Sequence, residues 1–149
     1  MTAQRETSRA FSIGYERREL GELIALLRHH DVEMLLDVRL NAVSRKPGMS
    51  KKRLAQAAAD AGIEYRHESV LGNPQDNREA FRLGERAARD RYMRHLRNGA
   101  LPTYKEFIEL ARRARIALLC YEREHDCCHR SCILEAAQRD IEGLSVQYI

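Results

Sequence analysis

Cysteine and histidine side chains that could perform nucleophilic or acid–base chemistry are concentrated near the end of the chain. All four cysteines lie between Cys120 and Cys132, and residues 128–131 read Cys-His-Arg-Ser directly before a helical pattern. The start of a helix attracts anions and lowers the pKa of a nearby thiol, and an arginine can hold a phosphate with two hydrogen bonds. These residue types indicate a reactive thiol beside an anion site, although the same residues could instead only pack and cap the helix.

The spacing of these residues argues against two familiar kinds of cysteine site. In phosphatase and rhodanese loops five residues separate the cysteine from the arginine, whereas Arg130 is too far from Cys120 and too near to Cys127 or Cys128. Structural zinc usually takes two separated pairs of ligands, but every candidate here lies in one short stretch. We therefore predict no metal site and no cofactor. The zinc candidates considered are Cys120, His125, Cys127, Cys128, His129 and Cys132.

Further polar side chains follow each of the predicted strands. Ligands of open parallel sheets bind beyond the carboxyl ends of the strands, so these side chains are expected at one edge of the sheet. Asp37 and Cys120 lie inside apolar runs. A carboxylate buried there needs a cationic partner, which Arg39 or Arg130 could supply. The side chains expected at this edge are Tyr15, Glu16, Arg17, Asp37, Arg39, Ser44, Arg45, His67, Glu68, Asn73, Cys120, Glu122 and Arg123.

Strand-like and helix-like apolar periods alternate along the chain. This alternation predicts parallel strands joined by right-handed crossovers, with helices on both faces of the sheet. We expect one α/β domain over residues 1–149 with a flexible N-terminal tail over residues 1–9. Its fold is predicted to be Rossmann-like and three-layered, with a mostly parallel sheet of about five strands. The predicted strands cover 11–15, 32–38, 63–67, 115–121 and 146–149, and the predicted helices cover 19–29, 50–62, 78–97 (long or broken), 102–113 and 128–141.

The composition and net charge of the chain narrow the class of binding partner and the cellular compartment that we expect. The formal net charge is +4, with a pI of about 9.0, and arginine supplies most of the excess, so an anionic partner is expected. Residues 78–97 carry seven arginines, and the six from Arg82 to Arg97 could follow a nucleic-acid backbone or form ordinary pairs on a helix surface. No apolar run is long enough to span a membrane, and no signal core follows the start. With the cysteines bunched rather than spread as a disulfide framework, we predict a cytoplasmic protein without a membrane partner.

Six motifs occur together in one order along almost the whole chain. They are Ile13-Gly14-Tyr15, Asp37-Val38-Arg39 followed by Ser44-Arg45, Tyr65, Leu71-Gly72-Asn73, Leu119-Cys120-Tyr121-Glu122 and Cys128-His129-Arg130-Ser131. In this combination the chain resembles the bacterial family called domain of unknown function 488.

The resemblance implies the same fold and ranks the pocket residues, but it implies no reaction. The family pattern matches Cys120, Glu122, Cys128, His129 and Arg130, and it does not call for Cys127 or Cys132, which weakens the zinc interpretation further. Two positions depart from the pattern: Ala42 stands near a frequent proline of the family, and Tyr148-Ile149 replaces its usual final His-Ile or His-Leu. A different geometry of the 41–49 loop is therefore expected, and a final histidine cannot be essential here.

Three hypotheses about function remain open. The first is an enzyme that acts on a phosphate-bearing substrate, a nucleotide or a nucleic acid, and it leads because thiols and acid–base groups gather with the arginines. The others are a binding module without chemistry and a structural or partner-binding protein whose polar cluster only maintains the fold. The candidate catalytic residues are Asp37, Cys120, Glu122, Cys128 and His129; the candidate anion- or substrate-binding residues are Tyr15, Arg39, Ser44, Arg45, Asn73, Arg130 and Ser131.

Overall fold

The computed structural model describes residues 8–149, and its centre is a five-stranded sheet in the order β3-β2-β4-β1-β5. All four neighbouring pairs of strands are parallel. The carboxyl ends of the strands therefore share one edge of the sheet, as the alternating pattern predicted. The strands are β1 (Arg9–Gly14), β2 (Met34–Asp37), β3 (Glu64–His67), β4 (Ile116–Cys120) and β5 (Ser145–Tyr148).

Helices cover both faces of the sheet, which confirms the predicted three-layer α/β fold. Residues of β4 alternate between the two cores: Leu119 packs with the helices of one face and Leu118 with those of the other. The side chains of α1 and α2 fill the first core, and those of α3 to α6 fill the second. The helices are α1 (Leu20–His29), α2 (Lys51–Asp60), α3 (Arg78–Arg82), α4 (Arg86–Arg97), α5 (Leu101–Ala111) and α6 (Arg130–Asp140).

The predicted helix over 78–97 is broken into two helices, and the break sets the position of the first one, α3. Gly84 has a φ of +80°, a left-handed conformation that glycine adopts without the steric cost of a side chain. The chain turns there, so α3 and α4 are separate helices. Phe81 of α3 remains buried against Tyr92 of α4, with ring centroids 6.4 Å apart. The turn leaves α3 beside the carboxyl edge of the sheet, where its arginines reach the cavity described below.

Most element boundaries differ from the sequence prediction by one or two residues, and one helix cap also differs. Strand β1 begins at Arg9, which therefore does not belong to a tail; residues 1–7 of the predicted tail lie outside the described residues. Helix α6 begins at Arg130 rather than Cys128, because Cys128 has an extended backbone that follows a short 3-10 turn. Ser50 does precede α2, but its hydroxyl bonds to the backbone of Ser44 instead of capping the helix.

Among residues 8–149, the longest helix has 12 residues, and none is both long and apolar enough to cross a bilayer.

Candidate functional site

A cavity of about 170 Å³ lies beyond the carboxyl ends of β1, β2 and β4. Residues that directly follow these three strands supply much of its wall, and α3 and the loop before α6 supply the rest. This is the position at which open parallel sheets bind ligands. The lining residues are Tyr15, Arg39, Asn41, Val43, Asn73, Arg78, Arg82, Cys120, Tyr121, Glu122, Cys127, Cys128 and His129.

The densest group of reactive side chains in this cavity is formed by Cys120, Cys128 and His129, which we call the Cys/His cluster. One sulfur or ring-nitrogen atom from each residue lies within 4.8 Å of the other two. The Cys128 Sγ is 3.5 Å from the His129 Nδ1. The His129 Nε2 lies 2.8 Å from the Val38 carbonyl oxygen, to which it can only donate. In the neutral imidazole, the proton is therefore on Nε2, and the Nδ1 lone pair faces the thiol.

The two thiols of the Cys/His cluster differ in their readiness to ionise. Burial by itself raises the pKa of Cys128, but a hydrogen bond from Cys120 and the positive charge of Arg130 hold the pKa well below its ordinary value. The hydrogen bond that Cys120 gives to Cys128, together with burial, raises the pKa of Cys120 well above its ordinary value. Of the two thiols, Cys128 is therefore the one that ionises more readily, and Cys120 is its hydrogen-bond donor.

Arg130 is fully buried beneath the Cys/His cluster and does not line the cavity. Its Nε donates to the Ser12 Oγ at 2.9 Å, and its Nη2 donates to the Glu122 carbonyl oxygen. The Nη1 has no hydrogen-bond partner among the described residues. The geometry thus places a fixed positive charge near Cys128, whereas the sequence predicted that Arg130 would bind a phosphate directly.

Asp37 is fully buried and forms a two-pronged ion pair with Arg39, one of the two partners considered for it. The Arg39 Nε donates to the Asp37 Oδ1 at 2.8 Å and the Nη2 to the Oδ2 at 2.7 Å. The Tyr65 hydroxyl also donates to the Oδ2. Burial and this hydrogen bond raise the pKa of Tyr65. Both carboxylate oxygens are occupied and Asp37 is not at the cavity wall, so its place fits the anchoring of Arg39 rather than proton transfer.

Arg39 lines the cavity, and contacts with neighbouring residues hold its guanidinium group in place. Besides its pair with Asp37, its Nη1 donates to the Met49 carbonyl oxygen at 2.7 Å. Its guanidinium carbon lies 5.2 Å from the centre of the Tyr15 ring, within the range of a cation–π contact. Burial lowers the pKa of Arg39, but its bonds with Asp37 outweigh that effect and raise the pKa overall. The guanidinium is therefore positioned before any ligand binds.

Two arginines of α3 that were not among the predicted pocket residues complete the wall. Arg78 and Arg82 are four residues apart, hence on one side of α3, and both line the cavity. The Arg82 Nη2 lies 3.2 Å from the Glu122 Oε1. The side chain of Arg78 makes no hydrogen bond or ion pair with any residue in the 8–149 range. Their i, i+4 spacing was visible in the sequence, but their position over the cavity depends on the turn at Gly84.

The remaining predicted site residues divide between the cavity and its surroundings. Asn73 lines the cavity and its side-chain oxygen accepts a hydrogen bond from the Asn77 Nδ2 at 3.0 Å. Ser131 is buried outside the wall, where its hydroxyl donates to the Cys128 carbonyl oxygen at 2.7 Å. Ser44 bonds to Ser50, and Arg45 is exposed on the same loop, so neither meets the Cys/His cluster.

A larger groove, of about 910 Å³, lies at the opposite edge of the sheet, where the strands begin. Its lining carries equal numbers of charges of each sign: three arginines, Arg28, Arg66 and Arg113, and three acidic residues, Asp31, Glu33 and Glu64. No cysteine or histidine is among its described lining residues. Size alone favours this groove, but the smaller cavity holds the reactive side chains and is the better candidate for a site.

His125 makes the stability of the protein sensitive to acid. The Ser12 hydroxyl accepts a hydrogen bond from Arg130 and lies 2.7 Å from the His125 Nδ1, so it donates to an unprotonated ring nitrogen. Burial and then the charge of Arg130 lower the pKa of His125, while Asp126 and Cys128 act in the opposite direction. The unfolded chain therefore binds a proton at a pH where the folded protein does not, and this contribution to stability is lost as the pH falls below about 6.5.

We expect the urea midpoint of the wild type to fall between pH 7.5 and pH 5.5 by more than that of His125→Asn. Asparagine keeps a hydrogen-bond acceptor for Ser12 but does not titrate. His30, whose pKa burial also lowers, is present in both proteins and contributes equally to both curves. Parallel curves for the two proteins would show that His125 does not titrate in this way.

A sequence model of the family described as "Domain of unknown function DUF488" matches residues 19–137 of the chain. The matched region contains β2, β3, β4 and every member of the Cys/His cluster. No curated protein and no solved structure matches the chain. The match confirms the resemblance that the order of the motifs indicated.

Proposed function

Since the chain belongs to the DUF488 family, whose description gives no reaction, we propose from the geometry of the cavity that the protein is an enzyme acting on a phosphate-bearing substrate. The substrate is a nucleotide or a nucleic acid. The observation that carries the proposal is that Arg78 and Arg82 line the same cavity as Cys128 and His129. Guanidinium groups suit phosphate because their donors match its oxygens two at a time.

Of the three arginines in the cavity wall, one is held by a buried ion pair, and the other two are exposed and can contact a ligand. Arg39 is neutralised by Asp37, so it orients a ligand more than it attracts one. Arg78 and Arg82 are exposed, and only Arg82 is paired, with Glu122. A phosphate can therefore approach Arg78 without displacing another partner and can compete with Glu122 for Arg82. Tyr15 and Asn73 also line the cavity and offer further polar contacts.

The Cys/His cluster supplies the reacting group, and Glu122 supplies a proton-transfer group. Anion binding alone needs neither buried thiols nor an imidazole, which is why we favour an enzyme over a binding module. The Glu122 Oε2 is buried without a hydrogen-bond partner among the described residues. Buried acceptors are normally satisfied, so such an oxygen suits a group that a substrate or water completes. The four cysteines are free thiols, which suits the cytoplasmic location that we propose with this function.

Replacing both Arg78 and Arg82 with alanine is expected to weaken binding of the phosphate ligand by at least about tenfold. A hydrogen bond to a charged group contributes about 1.5–3 kcal/mol, and the exposure of these two side chains lowers that value. We would screen nucleotides, short oligonucleotides and inorganic phosphate by thermal shift and then measure affinity by calorimetry. The matched control is Arg91→Ala, which removes an exposed arginine paired with Asp76 outside the cavity.

Equal affinities for the double variant and the wild type would show that the ligand does not bind at α3. The salt dependence of binding separates the substrate classes, because a nucleic acid that contacts several phosphates loses affinity steeply with added salt. Incubation of the bound ligand with the wild type and with Cys128→Ser, followed by product analysis, separates catalysis from binding. A ligand that binds at α3 and is never converted would support the binding module instead.

A further inference from the structure

The three side chains of the Cys/His cluster come from two different structural elements. Cys120 is the last residue of β4, whereas Cys128 and His129 directly precede α6. The loop between them folds back through a short 3-10 turn, so residues eight positions apart in sequence become neighbours. The sequence prediction of no metal site was based on the short stretch of chain that contains all the candidates. The fold removes this objection for three of them.

The three ligand atoms are close enough for one ion to contact all of them. They lie within 4.8 Å of one another, and Cys128 Sγ and His129 Nδ1 are 3.5 Å apart. Ligands at about 2.0–2.3 Å from a tetrahedral zinc ion are separated by about 3.3–3.8 Å. The 3.5 Å distance already fits, and any separation near 4.8 Å would shorten by about 1 Å on binding. The side chains are also nearly immobile, since the three residues are at most 8 % exposed.

The surroundings of His129 are those of a metal-bound histidine. Histidine ligands usually donate their second ring N–H to a carboxylate or a backbone carbonyl, which fixes the tautomer and the orientation of the ring. The His129 Nε2 lies 2.8 Å from the Val38 carbonyl oxygen, at the end of β2. The Tyr92 ring packs against the imidazole with centroids 5.2 Å apart and restricts its rotation. The Nδ1 is thus directed toward Cys128 by two independent contacts.

From this geometry we infer that Cys120, Cys128 and His129 are the protein ligands of a zinc ion whose fourth coordination position faces the cavity. Two sulfurs and one imidazole form a ligand set that favours zinc over magnesium or calcium, and three protein ligands leave a position for water or substrate. Each thiol that binds loses its proton to solvent as a Zn–S bond replaces the S–H bond. All three ligands line the cavity that Arg78 and Arg82 enter.

Zinc binding does not depend on the proposed substrate, but it deepens the proposed function by naming the reacting centre. A phosphate held by Arg78 and Arg82 would lie beside the open coordination position. Cys127 also lines the cavity but is not part of the Cys/His cluster, so it is the natural control for a neighbouring thiol.

The test uses the full chain, stripped of metal with a chelator and titrated with zinc chloride against a competing chelator. We expect one zinc per chain for the wild type and for Cys127→Ser. Cys128→Ser and His129→Gln should each lower the affinity by more than about 100-fold, since even the loss of an indirect contact to a metal ligand costs 10–100-fold. Circular dichroism establishes whether each variant is folded. Equal zinc affinity in the wild type, Cys128→Ser and His129→Gln would overturn the inference.

Cobalt(II) gives a second readout on the wild type alone, which decides the question if a ligand variant does not fold. Tetrahedral cobalt with two thiolate ligands is expected to give intense visible bands and sulfur-to-cobalt charge-transfer absorption. Zinc is then expected to remove these bands and to protect two of the four thiols from a disulfide reagent. Octahedral cobalt spectra, or four thiols that react equally with and without zinc, would contradict the site.

The outcomes also separate this inference from the proposed function. If the protein binds no zinc but still binds a phosphate ligand through Arg78 and Arg82, the metal site is wrong, and the Cys128 thiolate is the reacting group of the proposed enzyme. If it binds zinc at the Cys/His cluster but no phosphate ligand, the metal site stands and the proposed substrate class is wrong.

Discussion

Asp37→Asn is expected to lower the free energy of unfolding by about 3–5 kcal/mol, because it leaves the buried guanidinium of Arg39 without a counter-charge. Asp37 is 0 % exposed and Arg39 is 3 % exposed, so water cannot take the place of the carboxylate. The substitution also removes a charged acceptor from the Tyr65 hydroxyl. Urea unfolding followed by circular dichroism measures the loss.

The matched control for this prediction is Glu64→Gln, which breaks the exposed pair between Glu64 and Arg66. Their side chains are 57 % and 42 % exposed, so the expected loss is at most about 1 kcal/mol. Adding Arg39→Met to Asp37→Asn should cost less than the sum of the two single substitutions, because the second change removes the unpaired charge. A loss below about 1 kcal/mol for Asp37→Asn would show that the pair is not isolated from solvent.

Gly14→Ala is expected to destabilise the protein by about 3 kcal/mol or more, at the upper end of what overpacking costs. A Cβ on Gly14 would lie 2.0 Å from the Glu122 carbonyl oxygen and 2.8 Å from the Arg123 Cα. These are backbone atoms, so no side-chain rotation can relieve the clash. The chain after β4 must move away from β1, and the same carbonyl is an acceptor for Arg130. Urea unfolding measures the loss of stability.

Gly21→Ala provides a control of the opposite sign. Gly21 lies in α1, and a Cβ there would have no heavy atom within 4 Å. Alanine favours the helix over glycine by about 0.5–1 kcal/mol, so this variant should be slightly more stable than the wild type. Because Glu122 and Cys120 line the cavity, Gly14→Ala should also weaken any ligand binding that the wild type shows, whereas Gly21→Ala should not. Similar stabilities for the two alanine variants would contradict the close approach at Gly14.

The position of the cavity followed from local sequence patterns. Each strand and helix is indicated by the spacing of its own apolar residues, and parallel strands necessarily bring their carboxyl ends to one edge. Side chains directly after a strand, such as Tyr15, Cys120 and Glu122, were therefore expected together and do share the cavity wall. The burial of Asp37 in an apolar run also predicted that it has a cationic partner, which is Arg39.

The sequence predicted the positions of side chains farther from the strand ends less accurately. Arg45 and Arg130 were both expected to bind the anion, but neither lines the cavity, since Arg45 is exposed on its loop and Arg130 is fully buried. Arg78 and Arg82 were not among the predicted pocket residues and yet line the cavity. A loop or a short helix takes its direction from the elements on which it packs, and neighbouring residues in the sequence carry little information about those contacts.

The sequence by itself determined the three-layer α/β fold, the edge of the sheet where polar side chains gather and the family to which the chain belongs, because these depend on periodicity and motif order. Only the tertiary structure decided which side chains meet. The turn at Gly84 brings α3 over the cavity, and the loop from β4 to α6 folds Cys120 against Cys128 and His129. Whether two such side chains come into contact depends on distances of a few ångströms between elements, and packing of the whole core sets those distances.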